Sequence, residues 1–150
     1  MSYRSYRLRI ARHSEIGRCY LITTSTFERV PFFANWQIGR LVVAELRILQ
    51  EAGQARSIAW LLMPDHLHWL VELQAGDIST VVGQAKSRSA VAINRAIGTT
   101  GAVWQAGFHD RAIRKDEDMK AIARYVLRNP IEAGLVRCIG DYPLWDACWI

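Results

Sequence analysis

Two apolar runs, SIAWLLM at 57–63 and HLHWLVEL at 66–73, are separated by only two residues, Pro64 and Asp65. Each run has the length and the aliphatic and aromatic content of a buried strand. A two-residue connection joins antiparallel neighbours and nothing else. The chain is therefore built around a hairpin. Pro-Asp is not the preferred chemistry for the tightest turns, so a slightly longer turn is compatible with the pattern.

The flanking segments fill out the plan. GRCYLITTSTFERV, 17–30, is rich in β-branched and aromatic residues and reads as a first strand. Asn35 is a helix N-cap, followed by Ile38, Leu41, Val42, Leu46 and Leu49 at helical spacing, with Gly53 as the stop. After the hairpin, Asp77 or Ser79 caps a second helix. Its inner face is Ile78, Val81, Val82, Ala85, Ala92 and Ile93, and Gly98 ends it. VWQAGFHDRAIR, 103–114, reads as a last strand kinked at Gly107. A third helix is expected from about Asp116 to Arg128, with Asp116, Glu117 and Asp118 in its first turn and Pro130 ending it. The order is βαββαβ plus a helix. The expected fold is α+β, a ferredoxin-like antiparallel sheet with an additional C-terminal helix. The 150 residues make a single domain, with a basic arm at 1–16 and an irregular tail at 137–150 in which Trp145 and Trp149 pack back.

Charge and cysteine narrow the function classes. The formal net charge is +5, and arginine supplies 16 of the 19 basic residues. Guanidinium groups grip phosphate with two hydrogen bonds and stack on bases, although a GC-rich genome would favour arginine too. Arg4, Arg7 and Arg9 in the arm are candidate phosphate contacts. Three scattered cysteines, no signal-peptide core and no run of membrane-span length indicate a cytoplasmic protein with reduced thiols.

His66 and His68 hold half of the chain's four histidines. Residues two apart on a strand face the same way, with Cα atoms roughly 7 Å apart at about 3.4 Å rise per residue. Leu67 and Trp69 then point to the core, and two imidazoles can converge on one ion. Most such pairs bind nothing, so the pair alone decides little. Downstream, AIARYVLRNPIEAGL places Tyr125 and Asn129 four apart on one helix face. Tyrosine supplies a nucleophilic oxygen and asparagine a neutral oxygen ligand. An ordinary half-buried tyrosine and a helix-ending asparagine would give the same letters.

Taken together, HLH after MPD and Tyr125 in a YxxxNP context resemble the single-tyrosine HUH transposases of the IS200-like superfamily, and most closely the REP-associated tyrosine transposases. GRCYLITTSTF, LLMPDHLHWLVEL, AKSRSA, WQAGFHDRAIR and ARYVLRNPIEAGLV carry the likeness in order from 17 to 136. The resemblance implies that His66, His68 and Asn129 bind a divalent metal. It implies that Tyr125 attacks a DNA phosphate, giving a 5′-phosphotyrosine and a free 3′-OH. It also implies Mg or Mn as the metal, although two imidazoles better suit later metals, Mn being the easier fit of the two. The implied partner is a single-stranded, REP-like hairpin DNA, bound by a monomer or homodimer. Lys86 stands where the family often has a basic residue and could meet DNA, although a solvated helix lysine reads the same, and Arg111 and Arg114 are plausible phosphate contacts. His109 reads as structural or DNA-facing before it reads as a ligand. Two alternatives stay open: the transposase of an autonomous insertion sequence, and a nucleic-acid-binding module without catalysis on the same scaffold.

Overall fold

The computed structural model describes residues 14–148. Arg4, Arg7, Arg9 and Trp149 lie outside them. Strand β1 (Cys19–Ser25) leads through two short 3-10 turns into helix α1 (Trp36–Glu51). Strands β2 (Ala55–Met63) and β3 (His66–Leu73) form the hairpin, followed by helix α2 (Ile78–Ile97) and strand β4 (His109–Ala112). Helix α3 (Met119–Leu127), a single turn α4 (Asn129–Glu132) and strand β5 (Trp145–Ala147) complete the chain. The sheet order is β4-β1-β3-β2-β5, with every described pairing antiparallel. The first four strands form the expected ferredoxin-like βαββαβ sheet.

The caps follow from the sequence. The Asn35 side chain accepts from Gln37 N at 3.0 Å, and Asp77 accepts from Thr80 N at 2.8 Å. Gly53 and Gly98 adopt the left-handed conformation that closes each helix. The hairpin turn is two residues long, with Met63 paired to His66. Pro-Asp is tolerated there because the turn is held from outside. The Pro64 carbonyl accepts from Phe33 N at 3.0 Å, and the Asp65 carbonyl accepts from Thr26 N at 2.9 Å.

Five expectations need correction. Strand β1 stops at Ser25, because the next residues turn to grip the hairpin. The last strand covers only 109–112; residues 103–108 form a loop whose Trp104 indole donates to the fully buried Ser89 hydroxyl at 3.0 Å. Ser89 therefore takes an inner position on α2 that the apolar pattern could not show. Helix α3 starts at Met119, not Asp116, since Asp118 is its cap and accepts from the amides of Lys120 and Ala121. Pro130 does not end the helical path: Arg128 stays helical and Pro130 enters the first turn of α4, where its missing N–H costs least. The tail is also not wholly irregular, since β5 pairs with β2.

The two faces of the sheet are covered differently. Ile22, Leu67, Trp69 and Val71 face the main core with α1 and α2, and Trp69 is fully buried. Leu21, Leu70 and Ala59, aligned across β1, β3 and β2, belong to a second cluster with Ala123, Ile122 and Leu127 of α3. The C-terminal segment closes the first core. A Cβ at Gly39 would lie 2.5 Å from Leu144 Cδ1 and 3.1 Å from Leu62 Cδ2, whereas one at Gly83 of α2 would meet nothing within 4 Å. Gly39→Val is therefore expected to destabilise by about 1–3 kcal/mol, while Gly83→Ala stabilises by roughly 0.5–1 kcal/mol through helix propensity. Urea unfolding of the two variants checks the contrast.

Candidate metal and nucleophile site

Register places the histidines. On β3, His66, His68 and Leu70 share one face, opposite the face carrying Leu67 and Trp69. Across β1 their partners are Ser25, Thr23 and Leu21, and across β2 they are Met63, Leu61 and Ala59. This is the face on which α3 packs. The histidines are half-buried rather than fully outward.

Their rings stand edge to face, and the two Nε2 atoms are 3.1 Å apart. Each Nδ1 has its own neighbour: Asp65 Oδ1 at 2.7 Å for His66 and Thr23 Oγ1 at 3.4 Å for His68. Accepting from His66, the Asp65 carboxylate fixes the proton on Nδ1 and leaves the Nε2 lone pair free. Burial raises the Asp65 carboxyl, but hydrogen bonding and charge from His66 and Arg29 outweigh it and hold the group below its ordinary range. Burial first, and the facing His66 second, push His68 down to about 4. His68 is thus neutral near pH 7, the state a ligand requires.

Two converging nitrogens share either a proton or a cation. Nitrogens bound to one ion at about 2.1 Å stand about 3.0–3.4 Å apart for angles between a right angle and the tetrahedral one. The observed separation fits that range. Among the described residues no cluster of three or more His, Cys, Asp or Glu forms a metal cage. Among the described residues a further protein ligand would have to be of another type, and Asn129 is the candidate from the sequence. Its Nδ2 donates to the Val126 carbonyl at 2.6 Å. The amide oxygen carries no hydrogen to donate to a carbonyl, so this bond fixes the amide's orientation and leaves Oδ1 as the atom able to bind a cation.

Tyr125 sits on α3, with Ala123 and Val126 providing the buried face. It is 70% exposed, and no hydrogen bond joins its hydroxyl to another described residue. The other described tyrosines are buried and engaged. The Tyr20 hydroxyl accepts from Glu15 N at 2.8 Å, and the Tyr142 hydroxyl donates to the Leu62 carbonyl at 2.7 Å. Burial, then the Asp65 charge, push Tyr142 up to about 12. Of these three, only Tyr125 offers its oxygen to a partner in solution. No hydrogen bond links Tyr125 or Asn129 to the histidines; helix α3, which carries Tyr125, packs on the same sheet face through Ala123, Ile122 and Leu127.

The basic residues divide. Lys86 donates to the carbonyls of Gln105 and Gly107 at 2.7 and 2.5 Å, so it anchors the 103–108 loop. Arg111 faces the histidine side of β4, opposite Leu21, and bonds Glu117 at 3.0 Å. Arg114 lies 3.7 Å from Asp116 and 3.9 Å from Glu117. Exposed pairs of this kind are weak, so exchanging a carboxylate for a phosphate costs little. His109 is cross-strand from Thr23, which is itself opposite His68. Sequence reasoning had missed Asp65 and Thr23 as the groups that orient the imidazoles. Their one signal was position, adjacent to the motif and in the neighbouring strand.

Comparison with known proteins agrees with this architecture. The family model described as "Transposase IS200 like" matches residues 19–129. A REP-associated tyrosine transposase of Escherichia coli (strain K12) is 30% identical over 87 residues, covering 57% of this chain and 50% of that protein. A putative REP-associated tyrosine transposase of Haemophilus influenzae is 26% identical over 98 residues, covering 58% and 56%. The chain thus spans about half the length of these curated relatives. Among solved structures, a REP-associated tyrosine transposase bound to a REP hairpin superposes with a TM-score of 0.73 at 23% identity, over 89% of this chain and 79% of that one. A putative transposase from Deinococcus radiodurans gives 0.55 at 17% identity, over 79% and 95%. These two likenesses are of fold.

Proposed function

This chain belongs to the IS200-like transposase family, and on that premise we propose that it is a metal-dependent endonuclease and strand transferase acting on single-stranded, REP-like hairpin DNA. The observation that carries the reading is the 3.1 Å convergence of His66 Nε2 and His68 Nε2 on the sheet face that also seats the Tyr125 helix. The curated relatives and a neighbour bound to a REP hairpin support the choice of substrate.

Tyr125 Oη is the nucleophile. It bonds to the scissile phosphorus and gives up its phenolic proton, while the P–O3′ bond breaks. The 3′ oxygen leaves and takes up a proton as a 3′-OH, and the other strand end stays on the protein as a 5′-phosphotyrosine. One phosphodiester replaces another, so attack by a 3′-OH reverses the step without external energy. His66, His68 and Asn129 Oδ1 are the groups that would hold Mg2+ or Mn2+. A divalent cation there would offset charge on the phosphate oxygens and favour the phenolate. Asp65 and Thr23 keep the imidazoles aimed. Arg111 and Arg114 contact the strand's phosphates, releasing their carboxylate partners as they do so, and Arg4, Arg7 and Arg9 extend that contact along the arm. Lys86 holds the 103–108 loop and would act on DNA through it.

The test is an adduct assay. Incubated with Mn2+ and a labelled REP-like hairpin with single-stranded flanks, the protein should form a covalent complex that survives a denaturing gel. A scrambled oligonucleotide without a hairpin should give at least about tenfold less, the discrimination of about 1.4 kcal/mol in recognition. The absence of adduct with every cognate hairpin tried would overturn the reading.

A further inference from the structure

We infer that Arg29 is a positioning residue for the histidine pair, acting through Asp65, and that the strained turn beside it serves to hold it there. The inference rests on reading His66 as a metal ligand. On leaving β1 the chain places two consecutive non-glycine residues in the left-handed region, Glu28 at φ 52° and Arg29 at φ 58°. Side chains with a Cβ disfavour that region, so surrounding structure must impose it.

The surroundings are specific. Thr26 is buried, and its hydroxyl lies 2.8 Å from the Val30 carbonyl and 3.2 Å from the Asp65 carbonyl. Its amide donates to that same Asp65 carbonyl at 2.9 Å, and Arg29 N closes the turn on the Thr26 carbonyl at 3.2 Å. The strained turn and the hairpin turn are therefore one unit. From it, Arg29 Nη1 reaches Asp65 Oδ2 at 3.3 Å, while Asp65 Oδ1 accepts from His66 Nδ1 at 2.7 Å. One carboxylate is held at both ends. Rotation of its plane would release His66, and the guanidinium on the far oxygen opposes that rotation. His66, so held, keeps its Nε2 aimed at His68 Nε2. A glycine turn would be easier to form but would leave the far oxygen without a partner.

An isolated surface ion pair would do nothing for the metal site, and this is the distinction to test. The probe is Mn2+ alone, its affinity followed by electron paramagnetic resonance without DNA. Asp65→Asn should weaken Mn2+ binding about tenfold, the lower end for loss of an outer partner of a ligating histidine. Arg29→Ala should weaken it at least about threefold, Arg29→Lys should restore part of the loss, and Arg29→Ala added to Asp65→Asn should add nothing further. Thermal melts of the same samples show that folded protein is being compared. His66→Ala separates the two levels of the claim. If it abolishes Mn2+ binding while Arg29→Ala stays within twofold of the wild type, the inference fails and the metal reading stands. If His66→Ala leaves Mn2+ affinity unchanged, the metal reading fails and the inference with it.

Discussion

Tyr125→Phe is expected to abolish the covalent DNA adduct while leaving the fold and the affinity for hairpin DNA in place. The change removes one oxygen from a ring that is 70% exposed and whose hydroxyl bonds to no described residue. Ala123 and Val126, not Tyr125, seat α3 on the sheet. The cost in stability should stay within about 0.5 kcal/mol. The chemical loss is of another order. Without its nucleophile a covalent mechanism has no first step, and the rate should fall by at least about 10³-fold. No described tyrosine can take over, since Tyr20 and Tyr142 are buried with their hydroxyls engaged. Labelled hairpin on a denaturing gel reads the adduct, and fluorescence anisotropy with the same oligonucleotide reads binding. An adduct of undiminished yield in the variant would remove Tyr125 from the mechanism.

The parts of the fold legible in the sequence were those written in local chemistry. Asn35, Asp77, Gly53 and Gly98 each mark a helix end because capping is decided within a few residues. The hairpin was legible because two residues leave no other connection. The histidine pair was legible because strand alternation is strict: Leu67 and Trp69 inward forces His66 and His68 to the opposite face.

What escaped was written between distant segments. Ser89 is polar and yet fully buried, because Trp104, fifteen residues later, needs an acceptor for its indole. Nothing near Ser89 announces that need. Asp118 and Asp116 look alike as acidic residues before a helix, and only the backbone path decides which one caps. Strand β5 is three residues whose pairing depends on an open edge of β2. The orienting groups of the site belong to the same class. Thr23 matters because β1 happens to pair with β3 in the register that sets it opposite His68. A slip of one residue would replace it with Ile22 or Thr24 and turn the whole strand over.

Removing an imidazole should separate metal binding from DNA binding, and His68 is the sharper place to do it. His68 sits in the middle of the face, between Thr23 and Leu61 across the sheet, and burial keeps it neutral. His68→Ala should weaken Mn2+ binding by at least about 100-fold, since it removes one of the two proposed nitrogen ligands and leaves His66 alone. Adduct formation should fall in parallel. Hairpin affinity in the absence of metal should change little, because the proposed phosphate contacts are arginines placed elsewhere. The truncation also opens space between Thr23 and Leu61, so a loss of about 1–2 kcal/mol in stability is expected. His68→Gln controls for that: it refills the space and supplies an oxygen or nitrogen of different reach, so it should recover stability without recovering Mn2+ affinity. Chelation of the wild type with EDTA should reproduce the loss of adduct without the loss of stability, and Mn2+ should restore activity. Zinc is the informative third arm. Two imidazoles bind it more tightly than Mn2+, so it should displace Mn2+ from the pair, and whether the Zn2+ form still makes adduct reports how far the chemistry depends on the metal's remaining oxygen ligands. If His68→Ala retained wild-type Mn2+ affinity and adduct yield, the converging nitrogens would be a shared-proton pair and the site would have to be sought on another face.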